Sequence, residues 1–353
     1  MKRRLFLLSG STVATLILPG CGGGGGTEAD MRGGSDVPTA PAPQEATPAS
    51  APASAPAPEV ERAPEVERAQ EAESAPADEA SALPAKMLGC YYTTWDTSRF
   101  KITDVPLDFN LVFLFHSKPN GAPVNGNWNN VGNGSFYFEH YHDVPADSIQ
   151  ACRRRGQKVI LTVGGAHAGY AWDNRTKSRN FVESFKTMVE RLGGVDGIDF
   201  NNYEASILHS GNVTAVTTEM IWIAGELKAL YGRNFAVMSP PQPSAPEQQQ
   251  LMSAMARAGV LDVAGPQHYD WVGFNAPGYI KGRIDLWSRL IGADKTMVGL
   301  SANYSNGPSL QDCIREWDAI QAAHPDIRGM FCWSAQTNLS GGNAWGRAMK
   351  ARL

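Results

Sequence analysis

The sequence predicts an α/β fold, a (β/α)8 barrel of the TIM type, over residues 86–353. Eight short apolar runs recur along this stretch, and amphipathic segments at helical spacing separate them. The runs are apolar almost without interruption, which is the pattern of parallel strands covered on both faces. Eight strand–helix units in a segment of this length fit one barrel. The rival, an open doubly wound sheet, wants a glycine-rich phosphate loop after its first strand. The segment "YYTTWDTS" (91–98) is not one.

Ahead of the barrel, residues 1–21 read as an export signal. Lys2, Arg3 and Arg4 lead into an apolar run that ends at Pro19. That run is short and interrupted for a membrane span. It closes on "LPGC", which resembles the lipobox of bacterial lipoproteins and makes Cys21 the expected lipidation site. "RRLFL" also resembles a twin-arginine signal. Residues 22–85 form a low-complexity linker. A glycine run is followed by an Ala/Pro/Ser/Glu-rich tract in which "APEVER" repeats at 57–62 and 63–68. Such a segment cannot bury enough apolar surface to offset its ordering entropy, so a disordered spacer is expected. The whole reads as an exported lipoprotein of a bacterial envelope.

The barrel's elements follow in order. The runs are "MLGCYYTTW" (87–95), "NLVFLFH" (110–116), "KVILTVGG" (158–165), "GVDGIDF" (194–200), "FAVMSP" (235–240), "LDVAGPQHY" (261–269), "TMVGLSA" (296–302) and "GMFCWSA" (329–335). Between them, 177–194 places Phe181, Phe185, Met188 and Leu192 on one helical face, and Gly193–Gly194 closes it. Segments 216–232 and 309–324 read alike.

In a barrel of this kind the working residues gather at the C-terminal strand ends. Those ends hold Tyr92 and Trp95, His116, Gly164–His167, Asn201–Glu204, Ser239–Gln242, Gln267–Trp271, Asn303–Tyr304 and Trp333–Gln336. Aromatic faces beside amides and carboxylates suit sugar rings, with C–H groups stacked on the ring and polar atoms on the hydroxyls. Nothing calls for a cofactor. His116, His167 and His268 lie on different strand ends without ligand spacing, so no metal is expected. The formal net charge is −4 and no basic-aromatic cluster stands out, which argues against nucleic acid. "CRRRGQK" (152–158) reads as a solvated helix end. Cys90, Cys152, Cys313 and Cys332 are expected to be reduced and structural. Membrane contact is expected only through the lipid, and the barrel is expected to be a monomer.

Four segments carry a family resemblance. "KVILTVGG" resembles a third-strand signature ending in SxGG. "DGIDFNNYE" (196–204) resembles the fourth-strand motif DGxDxDxE. "QHYD" (267–270) resembles a sixth-strand QxY or MxYD element, and "GMFCWS" (329–334) an eighth-strand end with a floor tryptophan. Order and barrel position match glycoside hydrolase family 18, the chitinases and related endo-β-N-acetylglucosaminidases. The resemblance implies a carbohydrate substrate built on β-1,4-linked N-acetylglucosamine. It implies substrate-assisted, retaining hydrolysis: Glu204 protonates the glycosidic oxygen, and the substrate's own acetamido carbonyl attacks the anomeric carbon. Asp199, Asn201, Asn202 and Tyr269 would complete the catalytic set. Gln267, Trp333, Trp95, Tyr92, Asp270 and Gln242 would contact the substrate. Residues 303–328 leave no room for the small domain that many members insert to wall the cleft, which favours endo action.

The fourth-strand motif departs from its pattern. Asparagine stands where an aspartate belongs, and Glu204 lies one residue late. Strand side chains alternate. Regular alternation puts Asp199, Asn201 and Tyr203 on the inner face, whereas a bulge near Asn201 turns Asn202 and Glu204 inward together. The bulge is expected. Asp196 is expected to fix the turn into the strand.

Overall fold

The computed structural model describes residues 82–121, 132–165, 170, 172–201, 212–270, 273–302 and 307–353. Barrel strands are β1 (Met87–Thr93), β2 (Leu111–Pro119), β4 (Lys158–Gly164), β5 (Gly197–Asn201), β6 (Ala236–Ser239), β7 (Val263–Ala264), β8 (Met297–Ser301) and β9 (Gly329–Trp333). Each of these except β7 pairs in parallel with the next one named, and β9 returns to β1. Bridges Ala264↔Thr296 and Gln267↔Gly299 close the seam between β7 and β8. The ring of eight parallel strands is the (β/α)8 barrel that the sequence predicts. One element went unread: β3 (Phe136–Tyr137) pairs antiparallel with the end of β2.

Helices α1 (Ala146–Arg154), α2 (Arg175–Arg191), α3 (Val213–Tyr231), α4 (Pro246–Arg257), α5 (Tyr279–Ile291) and α6 (Leu310–Ala323) lie between the strands. Helices α7 (Ala335–Ser340) and α8 (Ala344–Lys350) follow β9. Several of their starts carry side-chain caps. Asn174 caps α2 through Lys177 N, and Ser309 with Asp312 forms a capping box on α6. Among the described residues, no helix is long and apolar enough to cross a membrane.

Alternation along the strands sorts the core into two shells. On β1, Met87 and Tyr91 point into the barrel, while Leu88, Cys90 and Tyr92 join the layer beneath the helices. The four cysteines of the barrel are buried free thiols, and burial pushes their pKa values up. Phe331 fills the barrel axis. A methyl group added at Gly299 or Gly265 would come within 2.5 Å of its ring, so glycine there makes room for it.

At the opposite end from the mouth, a polar residue just ahead of a strand accepts from the first amides of the preceding one. Asn110 takes Leu88 N, Asp196 takes Val159 N, and Asp262 takes Val237 N. Asp196 also meets Arg153 at 3.2 Å. It therefore fixes strand entry, far from the C-terminal ends.

Candidate active site

The inner face of β5 carries Asp199 and Asn201. Asp199 sits opposite Thr162 of β4, whose hydroxyl donates to Oδ2 at 2.9 Å. The Tyr91 hydroxyl donates to the same oxygen at 2.9 Å, and Asn201 Nδ2 donates to the Tyr91 oxygen at 3.4 Å. The Asp199 side of this network is sealed, with the residue 1% exposed. Burial pushes its carboxyl up to about 7, and the hydrogen bonds from Tyr91, Thr162 and Asn201 resist that rise. Near neutral pH the group is poised between holding and releasing its proton. Burial, with Asp199 nearby, drives the Tyr91 phenol well above its ordinary range, so it stays a donor. With its N–H turned to Tyr91, the Asn201 amide keeps its carbonyl oxygen to accept an N–H from elsewhere.

An aromatic stack rises from this network. Trp333, at the end of β9, meets Tyr91 at 5.5 Å, Phe115 at 4.9 Å edge-on and Tyr269 at 6.3 Å nearly parallel. Trp333 is half-buried, and Trp95 beyond it stands 56% exposed. Tyr269 is buried, and its phenol also lies well above the ordinary range, chiefly through burial. It follows His268, whose fully buried ring turns Nδ1 to the Gly299 carbonyl and is depressed by burial to about 3. His116 faces the Gly164 carbonyl and is depressed to about 4, again by burial. Both imidazoles stay neutral at ordinary pH and are held by backbone. His167 lies outside the described residues.

The remaining expected residues divide. Gln267 is half-buried and spends its amide on the Pro240 carbonyl, 2.5 Å away. Asp270 is exposed in the left-handed region at φ 64°, a conformation that aspartate tolerates. Gln242 is exposed just past β6, its backbone amide held by Gln248. Asn202, Glu204 and Cys21 lie outside the described residues.

One expectation needs correction. Tyr92 does not face the site. It is packed in the outer shell, where its hydroxyl donates to the Phe100 carbonyl at 2.8 Å. The strand's contribution is Tyr91, which the sequence could not single out because β1 is apolar on both faces. The bulge expected near Asn201 falls where the described part of the strand ends, since Asn202 to Glu204 lie outside the described residues. Val163↔Phe200 and Gly164↔Asn201 continue an even register, with Phe200 in the outer shell. Asn201 stands on the inner face beside Asp199. A register shift does occur in β2, between Leu114 and Ser117, where the Phe115–His116 peptide is cis. Thr162 is a further participant whose side-chain contact was not read from the sequence, although it occupies the first position of the SxGG-like segment.

No family model matches the chain. Chitinase Chi52 of Paenibacillus xylanexedens is 23% identical over 210 residues, which cover 50% of this chain and 38% of that protein. Chitinase D of Niallia circulans is 23% identical over 260 residues, covering 64% and 45%. The chain thus spans less than half the length of these curated relatives. Among solved structures, a family GH18 chitinase from Chromobacterium violaceum superposes with a TM-score of 0.63 at 18% identity, over 76% of this chain and 84% of that one. YKL-39, solved in the presence of chitooligosaccharides, superposes with a TM-score of 0.57 at 11% identity, over 75% and 98%. In fold, this chain is a (β/α)8 barrel similar to solved GH18 chitinases, and in sequence it is distantly similar to bacterial chitinases.

Proposed function

We propose that the barrel hydrolyses β-1,4-linked N-acetylglucosamine polymers of the chitin type, cutting within the chain by a substrate-assisted, retaining route. The observation that carries this reading is the Asp199–Tyr91–Asn201 network at the foot of the Trp333–Trp95 stack. A sugar ring lying on Trp333 would hold its acetamido group near Asn201 and Tyr269. The Asn201 carbonyl would accept the acetamido N–H, and Tyr269 would donate to the acetamido oxygen. That grip aligns the oxygen with the anomeric carbon for attack, while Glu204 gives its proton to the departing glycosidic oxygen. Water then opens the oxazolinium ion, with Glu204 now taking a proton. Gln267, Asp270 and Gln242 would line the rim.

In this scheme an asparagine orients but cannot neutralise. A preorganised electrostatic contact to developing charge is worth ~2.7–4 kcal/mol. Asp199 is the nearby carboxylate able to supply charge, once it has released its proton. The proposal extends to location: export through residues 1–21, lipidation at Cys21, and residues 22–85 as a spacer that holds the barrel off a membrane.

The even register of β5 favours a second reading. Continued alternation beyond Asn201 would bring Tyr203, not Glu204, to the inner face next. The barrel would then bind chitin-type glycans, or an N-glycan core, without cutting them. Turnover of a fluorogenic chitotriose substrate by wild type and Glu204→Gln separates the two. A rate that the substitution removes supports the hydrolase. Binding with identical background rates in both proteins supports the second reading.

A further inference from the structure

Trp95 is carried on the turn after β1, just past the ladder bond from Thr94 N to the Phe115 carbonyl at 3.0 Å. Its ring touches Phe115 edge-on at 5.6 Å and lies 6.4 Å from Trp333, the two indoles tilted by 40°. More than half of its surface is open to solvent. The Thr94 bond fixes the near side of the turn, and an exposed ring needs its far side held as well.

One buried side chain spans both sides. Gln336, 6% exposed, accepts from Thr93 N at 3.1 Å through Oε1. Its Nε2 donates to Thr93 O at 2.8 Å and to Asp96 O at 3.4 Å. These three backbone groups bracket Trp95. Gln336 belongs to the first turn of α7 and follows Trp333 by three residues. The Ser334 hydroxyl fixes that turn by accepting from Thr337 N. A single amide therefore joins the segment that carries Trp333 to the turn that carries Trp95. Both ends of the amide are used, so no other side chain of similar length replaces it: glutamate lacks the donors and leucine lacks everything.

We propose that Gln336 is a positioning residue that sets the angle between the two indoles, so that a second sugar ring stacks on Trp95 while the first lies on Trp333. The inference rests on the carbohydrate reading above. A β-1,4-linked chain is stiff and extended, so the second ring gains contact only if Trp95 already faces it. Loosening the turn makes the ligand pay for ordering that ring at each binding event.

The test is calorimetric binding of N-acetylglucosamine and chitotetraose to wild type, Gln336→Ala, Trp95→Ala and the double variant, with kcat and KM on a short fluorogenic substrate alongside. Loss of Gln336 should weaken chitotetraose roughly three- to tenfold, the range set by ordering one side chain. The affinity for N-acetylglucosamine, whose one ring lies on Trp333, and kcat should stay within about twofold on the same scale. In the Trp95→Ala background, removing Gln336 should add nothing. Gln336→Glu keeps the acceptor for Thr93 N but cannot donate to the two carbonyls. It should reproduce the pattern, and it serves if the alanine variant fails to fold. Equal losses on both ligands, or additive losses in the double variant, overturn the inference and leave the carbohydrate reading standing. Wild type that binds neither sugar overturns both.

Discussion

Asn201→Asp restores a carboxylate where the fourth-strand motif carries one, and the network defines what it should do. The new group would sit one hydroxyl away from Asp199, since Tyr91 bridges the two positions at 3.4 and 2.9 Å. At a separation of roughly 6 Å and an effective dielectric near 20, two unit charges repel by about 3 kcal/mol. Asp199 already binds its proton up to about pH 7, so the pair avoids that repulsion by sharing one proton. The upper apparent pKa of the pair should rise above 7. The remaining charge would face the acetamido group, where it stabilises an oxazolinium ion as the neutral amide cannot. Set against the ~2.7–4 kcal/mol typical of such contacts, kcat should rise by about 100-fold. Initial rates on fluorogenic chitotriose between pH 4 and 9 measure both effects. An Asn201→Asp protein with unchanged or lower kcat refutes the reasoning: the amide would then not be standing in for a missing charge.

Other outcomes follow from the same network. Asp199 holds its proton more tightly folded than unfolded, about 7 against an ordinary 3.8, so its contribution to stability is present at low pH and lost as pH rises through 7. The loss is on the order of 4 kcal/mol, and Asp199→Asn should raise Tm more at pH 8 than at pH 5, as differential scanning calorimetry would record. Tyr91→Phe removes a donor from a buried carboxylate and should cost about 1–3 kcal/mol of stability, read from urea unfolding, together with most of the turnover. Tyr92→Phe, in the outer shell, should leave kcat within about twofold, since only the hydrogen bond to the Phe100 carbonyl is lost.

The fold was readable because a barrel strand announces itself through composition alone: eight apolar runs became eight strands, with ends displaced by only a few residues. β7 is the exception. It stops at Ala264, two residues before Pro266, which has no amide to give the ladder. The same burial that made the strands visible concealed their phase. "GCYY" is apolar on both faces, so nothing local told Tyr91 from Tyr92. Only Asp199, aimed across the barrel, makes the distinction. The small strand Phe136–Tyr137 was missed because a two-residue pairing leaves no period to detect. Trp95, Trp333, Tyr269, Asp199 and Asn201 could be named as candidates from residue type at strand ends, and the structure places them close together. Gln336 and Thr162 could not be named that way, because their roles come from partners distant in sequence.

The central claim is that this barrel cuts its glycan, and incubation of wild type and Glu204→Gln with chitohexaose tests it most directly. Chromatography of the products should show internal cleavage to dimers, trimers and tetramers by wild type, with the new reducing ends in the β configuration. The variant should bind the hexamer and leave it intact. Hexamer that is bound by both proteins and cut by neither would contradict the claim and make this barrel a glycan-binding protein.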